Sequence, residues 1–300
     1  MVVETGSVEL SGYTLAGLQW GQSESVETIC FHGWLDNAAS FHQLAGQFIG
    51  DDAVDGMPDA LIAVDLPGHG LSPWHAAGQG YPIWGYTHDL KAFLEQLSDS
   101  GHSGAAPVDI IAHSLGGSLA LCLAAAFPEV VRSIVLLDSP GPMVTPENQW
   151  VDQLRKGVEA RDKVRASREF AQLSDAIEAR RKATPKLSDQ ALSALVTRNL
   201  EPAGSGFQWR TDPQLKLDSQ VKLTEGQVKI LMERVTCPVL SIRAAGGLIP
   251  NTFFDHRMSY LPNVEVCELP GHHHFHMELE SVGSIAEAIA TWRKQQGFVR

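Results

Sequence analysis

Residues 108–127 read VDIIAHSLGGSLALCLAAAF, and Pro128 follows. Residues 108–112 are a short apolar run, and 115–127 are an apolar, alanine- and leucine-rich segment that proline ends. That order implies a buried strand, a sharp turn and a buried helix. Ser114 falls at the turn, with Ala112 two before it and Gly116 and Gly117 after it. A turn this tight strains the backbone at the serine and admits only small neighbours, the signature of a nucleophile elbow with alanine in the first glycine position. The helix N-terminus then points at the hydroxyl, so a developing oxyanion would meet backbone N–H groups. The simpler alternative is a serine that caps a core helix.

On either side of this stretch the chain alternates strand and helix. Residues 8–10 and 13–20 read as an antiparallel pair around Ser11-Gly12. Residues 26–31 form the next strand, ending in His32-Gly33-Trp34, and helical spacing follows over 37–49 through Phe41, Leu44, Ala45 and Phe48. Residues 60–64 are a buried strand ahead of DLPGHGLSP, and 87–97 a helix. Beyond the elbow, residues 131–137 form another buried strand, ending at Asp138. The rhythm resumes with a strand at 238–242, a helix near 252–260, a strand at 264–269 and a last helix at 282–292. Alternation of this kind gives a mostly parallel sheet flanked by helices.

Between these halves the rhythm breaks. Residues 140–235 show no convincing strand and are rich in Arg, Lys and Glu. Phe170, Leu173 and Ile177 suggest one apolar helix face, and Leu192, Leu195 and Val196 another that starts after Ser188. Residues 201–213 read as a loop carrying Phe207 and Trp209, expected to line a substrate site. The chain therefore divides into an α/β core, 1–139 and 236–300, and a helical cap inserted over 140–235. The basic character of 156–186 suits a solvated helix face better than an anionic-substrate site.

Composition narrows the function. Formal net charge is −12, which disfavours nonspecific binding to nucleic acid or an anionic membrane. The N-terminus, MVVETGSVEL, lacks an apolar signal core, and no run is long enough to span a membrane. Cys30, Cys122, Cys237 and Cys267 fall in predicted buried elements with no metal-knuckle or disulfide spacing, so a cytoplasmic location is expected.

A serine nucleophile needs a base, an acid to orient it and an oxyanion hole. After the last strand stands LPGHHHFHMELE, with His272, His273, His274 and His276. His273 is the favoured base and His272 the second choice; a metal reading of the four histidines lacks a supporting carboxylate or cysteine group, so no metal or cofactor is expected. The oxyanion donors are expected to be the N–H groups of Leu115 and Trp34, with His32 and Gly33 shaping the turn. His113, next to the serine, is a candidate substrate contact. The sequence RAAGGLIPN after the 238–242 strand offers no carboxylate, and Asp255 comes too late and in a predicted helix. Asp138 is the remaining candidate acid, though an aspartate at a strand end can equally pin a loop.

FHGWLDNAASF, DLPGHGLSP, AHSLGG, LLDSPGP and PGHHHFHM, with the segment LVTRNLEPAGSGFQWRTDPQL, resemble the serine hydrolase-like branch of the α/β-hydrolase superfamily over almost the whole chain. The resemblance implies that fold, a capped pocket and a serine nucleophile, and little about substrate. The chain departs from many relatives in lacking the acid of a Gly-x-x-Asp loop. The expected activity is hydrolysis of a small-molecule carboxylic ester through an acyl-serine. Two other readings remain open on sequence: a cofactor-free oxygenase or carbon–carbon hydrolase using a His273–Asp138 dyad, and a non-catalytic small-ligand receptor.

Overall fold

Ile110 and Ile111 are neighbours in sequence and both are buried, yet they join different hydrophobic clusters on opposite faces of one sheet. Side chains alternate across a strand, so an unbroken apolar run marks a strand covered on both faces. In the computed structural model, which describes residues 8–21, 26–49, 53–100 and 107–298, that strand is β5 (Val108–His113). The N-terminal segment read for a signal core lies, over residues 1–7, outside the described residues.

The other strands of the sheet are β1 (Val8–Glu9), β2 (Gly17–Trp20), β3 (Thr28–Phe31), β4 (Leu61–Val64), β6 (Val131–Leu137), β10 (Val239–Gly246) and β11 (Val264–His272). Their order is β1-β2-β4-β3-β5-β6-β10-β11. Pairs from β4 through β11 are parallel; β1-β2 and β2-β4 are antiparallel. Ala112 aligns with Phe31 on one side and Leu136 on the other, which brings the C-terminal ends of β3, β5 and β6 level. In open parallel sheets, that edge is where ligands bind.

One face of the sheet is covered by α2 (Ile83–Asp99) and α3 (Leu115–Ala126), through Leu90, Phe93, Leu119 and Leu123, and by Phe254 of α8 (Asn251–Met258). The other face is covered by α1 (His42–Phe48) and α9 (Leu279–Gln295), through Leu44, Ile285, Ile289 and Trp292. Helices α2 and α9 and strands β10 and β11 all run beyond the lengths expected from sequence.

The segment between β6 and β10 departs from its all-helical expectation. It holds α4 (Trp150–Ala160), α5 (Leu173–Ala183) and α6 (Asp189–Arg198), with Ser188 capping α6 as anticipated. It also holds a three-stranded antiparallel sheet, β7 (Glu169–Phe170), β9 (Gly206–Trp209) and β8 (Leu200–Ala203), in that order. Phe170 therefore lies on a strand rather than on a helix face, and Phe207 and Trp209 on a strand rather than in a loop. The last helix, α7 (Glu225–Glu233), packs on α3 and buries Val228 and Met232 in the main core.

Buried charges fasten this segment to the sheet's C-terminal edge. Arg198 of α6 pairs with the fully buried Asp65 at 2.9 Å, and Arg180 of α5 reaches Asp36 at 2.6 Å and the Leu35 carbonyl at 3.1 Å. Asn37 donates to the Leu195 carbonyl at 2.8 Å. Arg257 of α8, fully buried, holds Glu225 at 2.7 Å and the Pro142 carbonyl at 2.9 Å, tying together the two ends of the segment. Among the described residues no helix is long and apolar enough to cross a membrane.

Candidate active site

Strand β5 ends at His113, and Ser114 turns the chain straight into α3 with φ 49° and ψ −112°. Such a conformation costs a non-glycine residue about 1–3 kcal/mol and persists only when its surroundings enforce it. Here they do. The Ser114 N–H donates to the Leu137 carbonyl at 3.2 Å, and the Ser139 hydroxyl donates to the Ser114 carbonyl at 2.7 Å. The Gly116 N–H donates to the His32 carbonyl at 3.1 Å, drawing α3 so close that a Cβ on Gly116 would stand 2.2 Å from the Phe31 carbonyl oxygen. The small residues around the serine are thus required by backbone approach.

The His273 ring lies between two partners. Its Nε2 is 3.1 Å from Ser114 Oγ and its Nδ1 is 2.6 Å from Asp138 Oδ2. A neutral ring with its proton on Nδ1 donates to the carboxylate and leaves Nε2 to accept from the hydroxyl. Asp138, just past the end of β6, is 1% exposed and has φ 46°. Its N–H donates to the Ile242 carbonyl at 2.8 Å, and its Oδ1 accepts from the Ala244 N–H at 3.1 Å, so the neighbouring strand β10 fixes its aim.

The competing residues are engaged elsewhere. His272 faces Glu278 at 3.5 Å, and Glu278 accepts from the Ser188 N–H at 3.0 Å. Asp255 pairs with Arg243 at 2.7 Å. Gly247, in the RAAGGLIPN loop after the start of β10, is adjacent to the same spot: a Cβ there would stand 2.6 Å from Asp138 Oδ2. The two acid positions converge in space, and only one can be filled.

His113, expected to contact substrate, is instead fully buried and donates through Nε2 to the His273 carbonyl at 2.8 Å. It supports the loop that carries His273 rather than lining open space. Burial lowers its pKa to about 4, with His273 and His274 adding to the push and Asp36 opposing it. Asp36 lies 3.5 Å from His113 Nδ1 and 3.6 Å from His274 Nε2. Its burial would raise the carboxyl, but His274, His113 and Arg180 draw it well below the usual carboxylate range. The pairing of Asp36 with Arg180 and of Asp65 with Arg198 has no local signal in the sequence, because the partners lie more than a hundred positions apart.

Two buried histidines set the loop after β3. His32 Nε2 accepts from the Leu66 N–H at 2.9 Å, and His69 Nε2 accepts from the Leu35 N–H at 3.2 Å. Both must be neutral to accept, and burial lowers their pKa values to about 4 and about 3. Trp34 is in this loop, half-exposed, its indole donating to the Leu215 carbonyl at 3.0 Å. Leu115 opens α3, so its N–H lies in the first turn, where no helical carbonyl can serve it.

A cavity of about 650 Å³ is lined by Leu35 and by residues of the segment between β6 and β10, Phe170 and Trp209 among them. Trp209 packs edge-on against Phe170 with ring centroids 5.1 Å apart; Phe207 pairs with Phe170 across the small sheet and is not in the cavity wall. Among the described residues, no group of three or more His, Cys, Asp or Glu side chains is arranged to hold a metal ion. The four cysteines are unpaired; Cys237 precedes β10 rather than lying in it, and burial pushes the Cys122 thiol up to about 12 and that of Cys30 higher still.

The α/β hydrolase fold family matches residues 29–235. A serine hydrolase-like protein of Danio rerio is 29% identical over 286 residues, 90% of this chain and 83% of that one. An esterase of Mycobacterium tuberculosis is 32% identical over 124 residues, 41% of this chain and 36% of that one. The crystal structure of a hypothetical protein of Pseudomonas aeruginosa superposes with a TM-score of 0.83 at 29% identity, covering 96% of this chain and 99% of that chain. With the sheet order, the strained serine turn and these likenesses together, the chain belongs to the α/β-hydrolase family.

Proposed function

We propose that the protein is a serine hydrolase that cleaves a carboxylic ester through an acyl-serine intermediate. The observation that carries this reading is the continuous chain from Ser114 Oγ to His273 Nε2, 3.1 Å, and from His273 Nδ1 to Asp138, 2.6 Å. His273 takes the Ser114 proton as the oxygen attacks the carbonyl. Asp138 holds the ring in the required tautomer and stabilises the imidazolium that forms. The Leu115 and Trp34 N–H groups receive the oxyanion. His273 then protonates the leaving alcohol, and a water repeats the sequence on the acyl-enzyme to release the acid. Serine suits acyl transfer; alkylation of serine would leave a stable ether. The names of the Danio rerio and Mycobacterium tuberculosis relatives support the same chemistry.

In this reading residues 140–235 act as a lid, with Trp209 lining the acyl site and Phe207 holding the lid's small sheet together. Four unpaired cysteines are compatible with a reducing, cytoplasmic setting. The test is hydrolysis of 4-nitrophenyl esters of graded chain length by wild type and Ser114→Ala. The expected result is turnover by the wild type and none by a folded Ser114→Ala protein. Comparable turnover by both would exclude the acyl-serine route.

A further inference from the structure

The cavity beside Leu35 differs in charge from the molecule that contains it. The chain carries a formal net charge of −12, yet five cationic residues border this cavity against one carboxylate, Asp218. Asp218 is already matched by Lys156 at 2.9 Å and Lys222 at 4.0 Å. Two of the cations are engaged. Arg180 is held by Asp36 and the Leu35 carbonyl, and Arg168 stands 5.0 Å over the Phe170 ring and borders a shallow neighbouring pocket with Glu169, Asp175 and Glu178. Lys163, Arg165 and Lys216 are exposed, and among the described residues none of them is in an ion pair. The cavity wall also includes the apolar side chains of Leu35, Phe170, Trp209 and Leu217.

A solvated basic helix face would not put its charges around an apolar concavity. Nor would it adjoin Leu35, whose neighbour Trp34 is the proposed oxyanion donor. We infer that this cavity receives the far end of a substrate with an apolar body and an anionic terminus, a carboxylate or a phosphate, while its ester carbonyl lies at Ser114. The inference rests on the proposed function for the position of the carbonyl. The anionic group does no chemistry; water adds across the acyl C–O bond as described above. Lys163, Arg165 and Lys216 select by charge, and Phe170 and Trp209 by apolar contact.

Two matched pairs test it. The first is the 4-nitrophenyl monoester of adipic acid against the same ester with its free carboxyl methylated. Wild type is expected to show kcat/KM about tenfold higher for the acid, as a few exposed cations provide. That preference falls as salt rises to about 0.5 M, which screens exposed charge. In the triple variant K163Q/R165Q/K216Q the ratio between the two esters falls to about one, while Lys229→Gln, on α7 away from the cavity, leaves it unchanged. The second pair is read by calorimetry on Ser114→Ala: octyl phosphate and octanoate against octanol, with the triple substitution added in a parallel sample. It needs no turnover, so if wild type hydrolyses neither ester, the esterase reading fails and the binding pair still decides the anion site. Tighter binding of octyl phosphate than of octanoate assigns a phosphate terminus, and the reverse a carboxylate. Equal binding of anions and octanol, or a preference that survives the triple substitution, overturns the inference.

Discussion

The two ends of β5 both carry buried charge, and they hold it in different ways. At the N-terminal end, Asp109 is 2% exposed and is gripped by Arg132 at 2.8 Å, Arg293 at 2.6 Å and the Ser133 hydroxyl at 2.7 Å. Burial would raise its carboxyl, but Arg132 and Arg293 outweigh that and lower it. Guanidinium is charged at every relevant pH, so this end is a permanent clamp joining β5, β6 and α9. At the C-terminal end the aspartates face imidazoles: Asp138 faces His273, and Asp36 faces His113 and His274. A neutral imidazole can donate through one ring nitrogen and accept through the other. One strand thus anchors the fold at one end and, in the proposed function, serves an acid–base apparatus at the other. Substitutions at the two ends should therefore separate turnover from stability.

The largest expected effect is at His273. His273→Ala should lower turnover by a factor on the order of 10⁴–10⁶ while leaving the thermal midpoint within a few degrees, measured by ester hydrolysis and scanning calorimetry. His274→Ala, whose ring faces Asp36 and not Ser114, should cost far less. An equal loss in both variants would mean that the whole loop, not one ring, carries the activity.

Asp138→Asn should cost about 10⁴ in turnover with the fold intact, since the amide can hold the wrong histidine tautomer. Asparagine tolerates the positive φ at this position. The convergence of Gly247 on the same space sharpens the test. Gly247→Asp added to the wild type should clash with Asp138 and reduce stability, whereas combined with Asp138→Gly it should recover part of the lost turnover. No recovery would show that the two positions are near but not equivalent.

At the opposite end, Asp109→Ala should cost about 3–5 kcal/mol of stability in urea titrations, because it leaves Arg293 buried without its partner. Its kcat on a saturating ester should stay within about twofold of wild type, since no effect reaches the chemistry. A large fall in kcat would break the division drawn between the two ends.

The remaining effect is in the pH dependence of stability. His32 and His113, at about 4, and His69, at about 3, are held neutral by burial. Unfolded rings take up a proton as pH falls through about 6.5 and the folded rings do not, so stability is full above that pH and drains away from about 6.5 down to about 4 for His32 and His113 and down to about 3 for His69. Each ring contributes up to about 1.4 kcal/mol per pH unit across that window. His69→Gln keeps an acceptor for the Leu35 N–H and should flatten the fall of thermal midpoint with acid. An unchanged slope would place the acid sensitivity elsewhere.

The sequence made the main sheet and the serine turn readable for a definite reason. A strand buried on both faces needs a mostly apolar run, which in β5 only Asp109 interrupts before His113, and a serine at φ 49° needs small neighbours, so composition and geometry correspond closely. The residues brought together at the sheet edge were legible by position, since each follows the end of a parallel strand. The small sheet of the inserted segment was hidden. β7 is only two residues long, and Pro202 sits in β8, where the lost N–H is tolerated because β8 is an edge strand. The Gly204-Ser205 pair between β8 and β9 was the available hairpin signal. His113 departs from its expected place because adjacency to Ser114 in sequence says nothing about which side of the strand a ring occupies; it is buried beneath the His273 loop. The buried Arg180–Asp36 and Arg198–Asp65 pairs link residues 144 and 133 positions apart, and no local pattern announces them.

The central claim is that Ser114 is the nucleophile and that His273 and Asp138 activate it. The most direct measurement is peptide mapping by mass spectrometry after treatment with a fluorophosphonate, on wild type, His273→Ala and Asp109→Ala. The account predicts one adduct on Ser114 in the wild type, the same adduct at a similar rate in a folded sample of Asp109→Ala, and little or none in His273→Ala. An adduct on another residue, or labelling of Ser114 that proceeds unchanged without His273, would contradict it.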